Sequence, residues 1–157
     1  MNSNPFELLP MEITSTRVFD APRETLFNAF ANPRHVAHWW GPKGFTNTIH
    51  EFDLRPSGIW RFTMHGPDGA TYDNRKEFLE VTKPARIVFR HPQPQHSFRM
   101  EMRFEEAEAG TRLTWHMVFE PHAENAKLRS FIVEANEQNF DRLAAYLAKF
   151  GADIRAE

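Results

Sequence analysis

The sequence predicts an α+β domain with six to seven antiparallel strands, two short helices after the first strand, and one long C-terminal helix. Three observations carry this. Between residues 46 and 119, apolar side chains recur at every second position, the period of half-buried strands. Beyond Pro121 the period lengthens to three and four and holds to Phe150, the period of an amphipathic helix. Between the first strand and the second, Asn32-Pro33 and Gly41-Pro42 divide two short helical stretches, because proline and glycine interrupt a helix ladder.

Residues 1–11 read as a flexible leader with two prolines. Residues 12–19 set Ile13, Ser15 and Arg17 against Thr14, Thr16 and Val18, a β-rich alternation. Asp20 offers an N-cap, Pro22 falls in the first helical turn, and Leu26, Phe27 and Phe30 form one apolar face. The second helix runs from Pro33, capped by Asn32, to about Trp40. Strands follow at 46–54, 59–65, 72–82, 86–91, 98–105 and 111–119. Pro56-Ser57-Gly58, Gly66-Pro67-Asp68-Gly69, Lys83-Pro84 and Ala107–Gly110 supply the turns. Residues 91–96 hold two prolines and belong in an exposed loop, since proline cannot donate to a ladder. Strand 98–105 is the clearest, with Phe98, Met100, Met102 and Phe104 opposed to Arg99, Glu101, Arg103 and Glu105. The last helix, 124–150, carries Leu128, Phe131, Ile132, Ala135, Asn139, Leu143, Leu147 and Phe150 on one stripe, with Gly151 as C-cap and 152–157 as a tail. At 1.5 Å per residue it is roughly 40 Å long, enough to cross the sheet.

With 157 residues the chain is one domain, residues 12–151, with room for a sizeable core. A net charge of -2 without a basic stripe argues against nucleic acid. There is no cysteine, hence no disulfide and no thiolate chemistry, which fits a cytoplasmic protein. No signal peptide or membrane-spanning run is visible. His35 and His38 share a helix, while His50, His65, His91 and His116 scatter over strands with no ligand spacing, so neither a metal nor another cofactor is expected. There is no nucleophile elbow and no Gly-rich phosphate loop. The 15 phenylalanines, four tryptophans and six methionines must fill a core, a cavity or an interface.

The densest signal is Trp39-Trp40-Gly41-Pro42-Lys43-Gly44-Phe45, where a helix must hand over to the sheet. Together with Phe52–Trp60, Gly66–Gly69, Tyr72, Asn74-Arg75 and Phe140-Asp141-Arg142-Leu143, it resembles the SRPBCC or START-like superfamily. Within that superfamily it resembles the branch related to the C-terminal domain of the heat-shock-protein-90 ATPase activator. The resemblance spans most of 12–150. It implies the helix-grip fold, a curved antiparallel sheet around the long helix with a cavity between them. Relatives often carry a Gly-Trp pair near Ala135-Asn136, so this chain's cavity is expected to be larger or more polar there.

On that footing a hydrophobic or amphipathic small molecule is the expected partner. Its walls are expected from Trp39, Trp40, Trp60, Phe62, Met64, Phe89, Phe98, Met100, Met102, Trp115, Met117, Phe140 and Leu143, with Asn136 and Asn139 from the helix. At least one of the paired tryptophans is expected to be a plain core plug. Asp53, Arg61 and His65 are the expected polar anchors, weighed against a solvated salt-bridge cluster with Glu51 and Arg55. Asn139 falls on the apolar stripe, where its amide bonds either neighbouring backbone or a ligand. Two alternatives stay open. One is a co-chaperone-like domain that contacts a chaperone. The other is a cyclase- or aromatase-like enzyme using Asp53, Arg61, His65 or Asn139 in the same cavity.

Overall fold

A computed structural model describes residues 9–92 and 97–157. It contains β1 (Met11–Phe19), α1 (Arg23–Ala31), α2 (Pro33–Trp39), β2 (Thr46–Phe52), β3 (Ile59–His65), β4 (Thr71–Thr82), β5 (Arg86–His91), β6 (Phe98–Ala107), β7 (Gly110–Phe119) and α3 (Asn125–Arg155). The strands form one antiparallel sheet in the order β1-β7-β6-β5-β4-β3-β2. From β2 to β7 each strand pairs with its chain neighbour, and β1 closes onto β7 with Met11 opposite Phe119. Register shifts at Ile49/Glu51 and Phe78/Glu80 bend the sheet around α3, giving the α+β helix-grip architecture.

Side-chain alternation sorts the sheet into a covered and a wet face. Trp60 and Phe62 of β3, Phe89 of β5, Met100, Met102 and Phe104 of β6, and Leu113, Trp115 and Met117 of β7 are buried beneath the helices. Arg99, Arg103 and Glu105 lie on the opposite face of β6, with Arg86 bridging Glu80 at 2.6 Å and also pairing with Glu101. The C-terminal half of α3 is clamped onto this core. Phe140 is fully buried, edge-on to Trp115 at 4.7 Å and to Phe19 at 5.7 Å, and Leu143 lies one turn on.

Two helix ends differ from the expectation. Pro22, not Asp20, is the N-cap of α1, because the first helical bond runs from Leu26 N–H to the Pro22 carbonyl (3.0 Å). Helix α3 continues through Gly151 to Arg155 instead of stopping at Phe150, so residues 152–155 form its last turn. A mid-helix glycine costs only about 1 kcal/mol. Ile154 extends the apolar stripe by one turn and is fully buried, which offsets that cost. The Glu157 carboxylate then meets His35 Nε2 at 2.7 Å and the Arg34 guanidinium at 3.0 Å. Residues 1–8 and most of the loop expected at 91–96 lie outside the described residues. Among the described residues no helix is long and apolar enough to cross a membrane.

Candidate functional site

The Trp39–Phe45 segment is a joint built from two directions. Helix α2 ends abruptly, leaving its last carbonyls without helical partners. Helix α3 supplies the missing donors. Arg142 Nη2 donates to the His38 carbonyl (2.9 Å), and Nη1 to those of Trp40 (3.0 Å), Gly41 (2.9 Å) and Pro42 (3.2 Å). Asn139 donates to the Trp39 carbonyl (2.7 Å) and accepts from Gly41 N–H (3.1 Å). From β2, Asn47 donates to the carbonyls of Ala37 (3.1 Å) and Trp40 (2.8 Å). A guanidinium at the negative end of a helix is also favoured by the helix dipole. Gly41 sits at φ +100, and a Cβ there would lie 2.7 Å from the Met64 methyl, so no other residue fits without displacement.

The two tryptophans divide the work. Trp39 is a plug: it is buried, and its indole N–H donates to the Ala29 carbonyl at 2.9 Å. Trp40 faces the opposite way, edge-on to Trp60 at 4.9 Å and tilted against Trp115 at 5.3 Å. Beyond Trp40 the sheet and α3 separate, leaving a pocket of about 450 Å³.

Its walls are Trp40, Gly41, Pro42 and Phe45 from the joint, Met64 of β3, Phe98 and Met100 of β6, and Trp115 and Met117 of β7. Phe131, Ala135, Asn136 and Asn139 of α3 form its roof. Tyr72, Asn74 and Lys76 of β4 and His91 of β5 complete it. The volume lies within the usual range for small-molecule sites, as does the mix of apolar walls and a few polar groups. Ala135 is short, and the Asn136 amide points to Ser15 Oγ (3.1 Å) and Met117 Sδ (3.4 Å), so the roof is thin at this point. Phe131, the largest apolar side chain of this half of α3, is 68% exposed at the rim instead of buried on the stripe.

The most unusual member of this wall is Lys76. It is 4% exposed, and its Nζ lies 5.4 to 5.7 Å from the ring centres of Trp60, Phe62, Phe89 and Phe98. Its hydrogen-bond partner is His91 Nδ1 at 2.9 Å, and no carboxylate among the described residues pairs with it. Burial pulls the lysine down from its ordinary value to about 7. His91 falls to about 3, first through burial and then through the adjacent lysine. Near neutrality the imidazole is therefore uncharged, and the amine is partly so. Elsewhere among the described residues, no three His, Asp or Glu side chains converge as a metal site.

The model of the Activator of Hsp90 ATPase homolog 1-like protein family matches residues 20–148. The chain belongs to that family. Comparison with curated proteins gave no match. Among solved structures, a Nitrosomonas europaea protein is 20% identical with a TM-score of 0.79, covering 90% of this chain and 96% of its own. An Arthrobacter aurescens protein is 20% identical with a TM-score of 0.81, covering 88% and 86%. A Mycobacterium smegmatis protein is 26% identical with a TM-score of 0.75, covering 87% and 90%. All three share the fold.

The expected wall residues separate within this family fold. Trp40, Met64, Phe98, Met100, Trp115, Met117, Asn136 and Asn139 line the pocket. Trp39, Trp60, Phe62, Phe89, Met102, Phe140 and Leu143 are core beneath or beside it. The expected polar anchors are not brought there. Arg61 and His65 alternate with Trp60, Phe62 and Met64 and so project from the wet face. His65 bonds Thr48 Oγ1 (2.8 Å), Arg61 faces Glu51 (3.9 Å), and Asp53 lies past the end of β2, paired with Arg55 (2.7 Å). The sequence reading missed Lys76 and His91. The available signal was parity: Lys76 is two residues before buried Phe78, and His91 two after buried Phe89.

Proposed function

We propose that this family member binds an amphipathic small molecule between the sheet and α3, its apolar body against Trp40, Met100, Trp115 and Met117 and its polar end toward Lys76 and His91. The observation that carries this reading is the pocket of about 450 Å³, left open where Ala135 and Asn136 stand in place of bulk. A concave apolar surface of this size held open to solvent is the usual setting of a small-molecule site, which supports an occupant. A chaperone contact rests on the family description alone and ranks second.

The test uses a neutral apolar fluorophore, N-phenyl-1-naphthylamine. It should brighten on binding the wild-type chain and be displaced by medium-chain alcohols. Ala135→Trp, which fills the roof, should abolish the signal while the fold, judged by circular dichroism, is retained. Undiminished binding by a folded Ala135→Trp variant would place the fluorophore elsewhere and refute the reading.

A further inference from the structure

Lys76 is a poor structural residue. Burying an amine removes its hydration, and proteins normally compensate with a carboxylate or several acceptors. Here the single acceptor is a neutral imidazole nitrogen at 2.9 Å, and the rest of the surroundings is aromatic. The indole N–H groups of Trp60 and Trp115 are also buried without hydrogen-bond partners. An apolar core of the same shape would be cheaper with methionine at this position. The lysine nevertheless forms part of the pocket wall, next to the space a ligand would occupy.

We propose that Lys76 is a carbonyl-capturing amine, which holds an apolar aldehyde or ketone as a reversible imine in the pocket. This rests on the binding reading above and gives it a ligand class. Desolvation in an apolar pocket is an established way to make a lysine nucleophilic, because it favours the free amine. The ordinary value of 10.5 would leave almost no free amine near neutrality, whereas a value of about 7 leaves about half.

The chemistry balances without an oxidant or reductant. The Nζ lone pair attacks the carbonyl carbon, a C–N bond forms, and the C=O pair moves to oxygen. One Nζ proton passes to the alkoxide oxygen, relayed by His91 Nδ1, which faces the amine, and gives the carbinolamine. The C–O bond then breaks as the second Nζ proton follows the same route to the departing hydroxyl, which leaves as water, and the nitrogen lone pair closes the C=N bond. Amine plus carbonyl gives imine plus water. Hydrolysis reverses the steps.

The experiment uses the full chain, octanal and cyanoborohydride near neutral pH, with peptide mass mapping over time. The other lysines (Lys43, Lys83, Lys127 and Lys149) are exposed and serve as internal references. Lys76 should be alkylated faster than any of them by on the order of a hundredfold, because its free-amine fraction is about a thousandfold larger while its lower basicity and burial take back part of that gain. Excess octanol should slow labelling at Lys76 alone. Lys76→Arg and Lys76→Met should lose that site and keep the slow surface labelling. Labelling of Lys76 no faster than the exposed lysines overturns the imine, even where the fluorophore binds and the pocket reading survives. Tight octanoate binding that needs Lys76, without aldehyde labelling, also overturns it, by making the lysine a salt-bridge anchor.

Discussion

Arg142 and Lys76 are both basic side chains withdrawn from water, one tied to the helix-to-sheet joint and the other in the wall of the pocket. Burial lowers the pKa of each. Arg142 is nonetheless well served: four backbone carbonyls converge on its guanidinium at 2.9 to 3.2 Å. Lys76 has one uncharged partner and four aromatic faces. The first arrangement stabilises the fold by tying α3 to the end of α2. The second stabilises nothing that methionine could not, and it lies against open space. Satisfaction, not burial, separates the structural cation from the amine proposed to meet a ligand.

The largest expected effect that tests this contrast is a pH dependence. The unfolded chain protonates Lys76 below 10.5, while the fold keeps it neutral down to about 7. Across that window the unfolded state binds the extra proton, so stability rises with pH and levels off below about 7. The full span is on the order of 5 kcal/mol. Urea melts from pH 7 to 10 should show the rise in wild type relative to Lys76→Met, where it vanishes. Equal slopes would mean that Lys76 titrates normally.

Arg142→Met comes next. It takes the Arg142 donor from the carbonyls of His38, Gly41 and Pro42 and should cost about 3 kcal/mol, measured by denaturant midpoint, with the Trp40 side of the pocket disordered. Lys76→Met at pH 7 should do the reverse and stabilise the chain by about 2 kcal/mol. If both variants lose stability, the contrast fails. Asn139→Ala, which removes one donor and one acceptor at the joint, should cost about 2 kcal/mol by the same measurement. The smallest effect is expected at Ser57, which holds φ +69 in the β2–β3 turn. Ser57→Gly removes a left-handed strain of about 1 kcal/mol but adds unfolded-state entropy of similar size, so it should change stability by less than about 0.5 kcal/mol.

The sequence made much of this legible, for local reasons. Strand boundaries followed from period-two patterning, and Ile59–His65 and Arg86–His91 fall where the alternation and the turns put them. The helix-to-sheet joint could be read from Gly41-Pro42, and Asn139 stood out as an amide on an apolar stripe. Its dual bond to Trp39 and Gly41 resolves that ambiguity in favour of backbone. Arg142 could not be read, because its acceptors are about a hundred residues away in sequence and a guanidinium on a helix face resembles a solvated one. The polar anchors failed for a simpler reason. Charge clustering along the chain drew attention to Asp53 and Arg61, while strand parity, which decides what faces the pocket, pointed to Lys76.

Phe131 has a practical corollary. It stands 68% exposed at the pocket rim of a chain that contains no thiol of its own. Phe131→Cys would thus introduce a single sulfhydryl at the entrance, open to maleimide dyes. An attached fluorophore would report the polarity at the pocket mouth and how it changes when the proposed guest is added. The same exposed ring that contributes little to the core makes the mouth of the pocket addressable by spectroscopy, molecule by molecule.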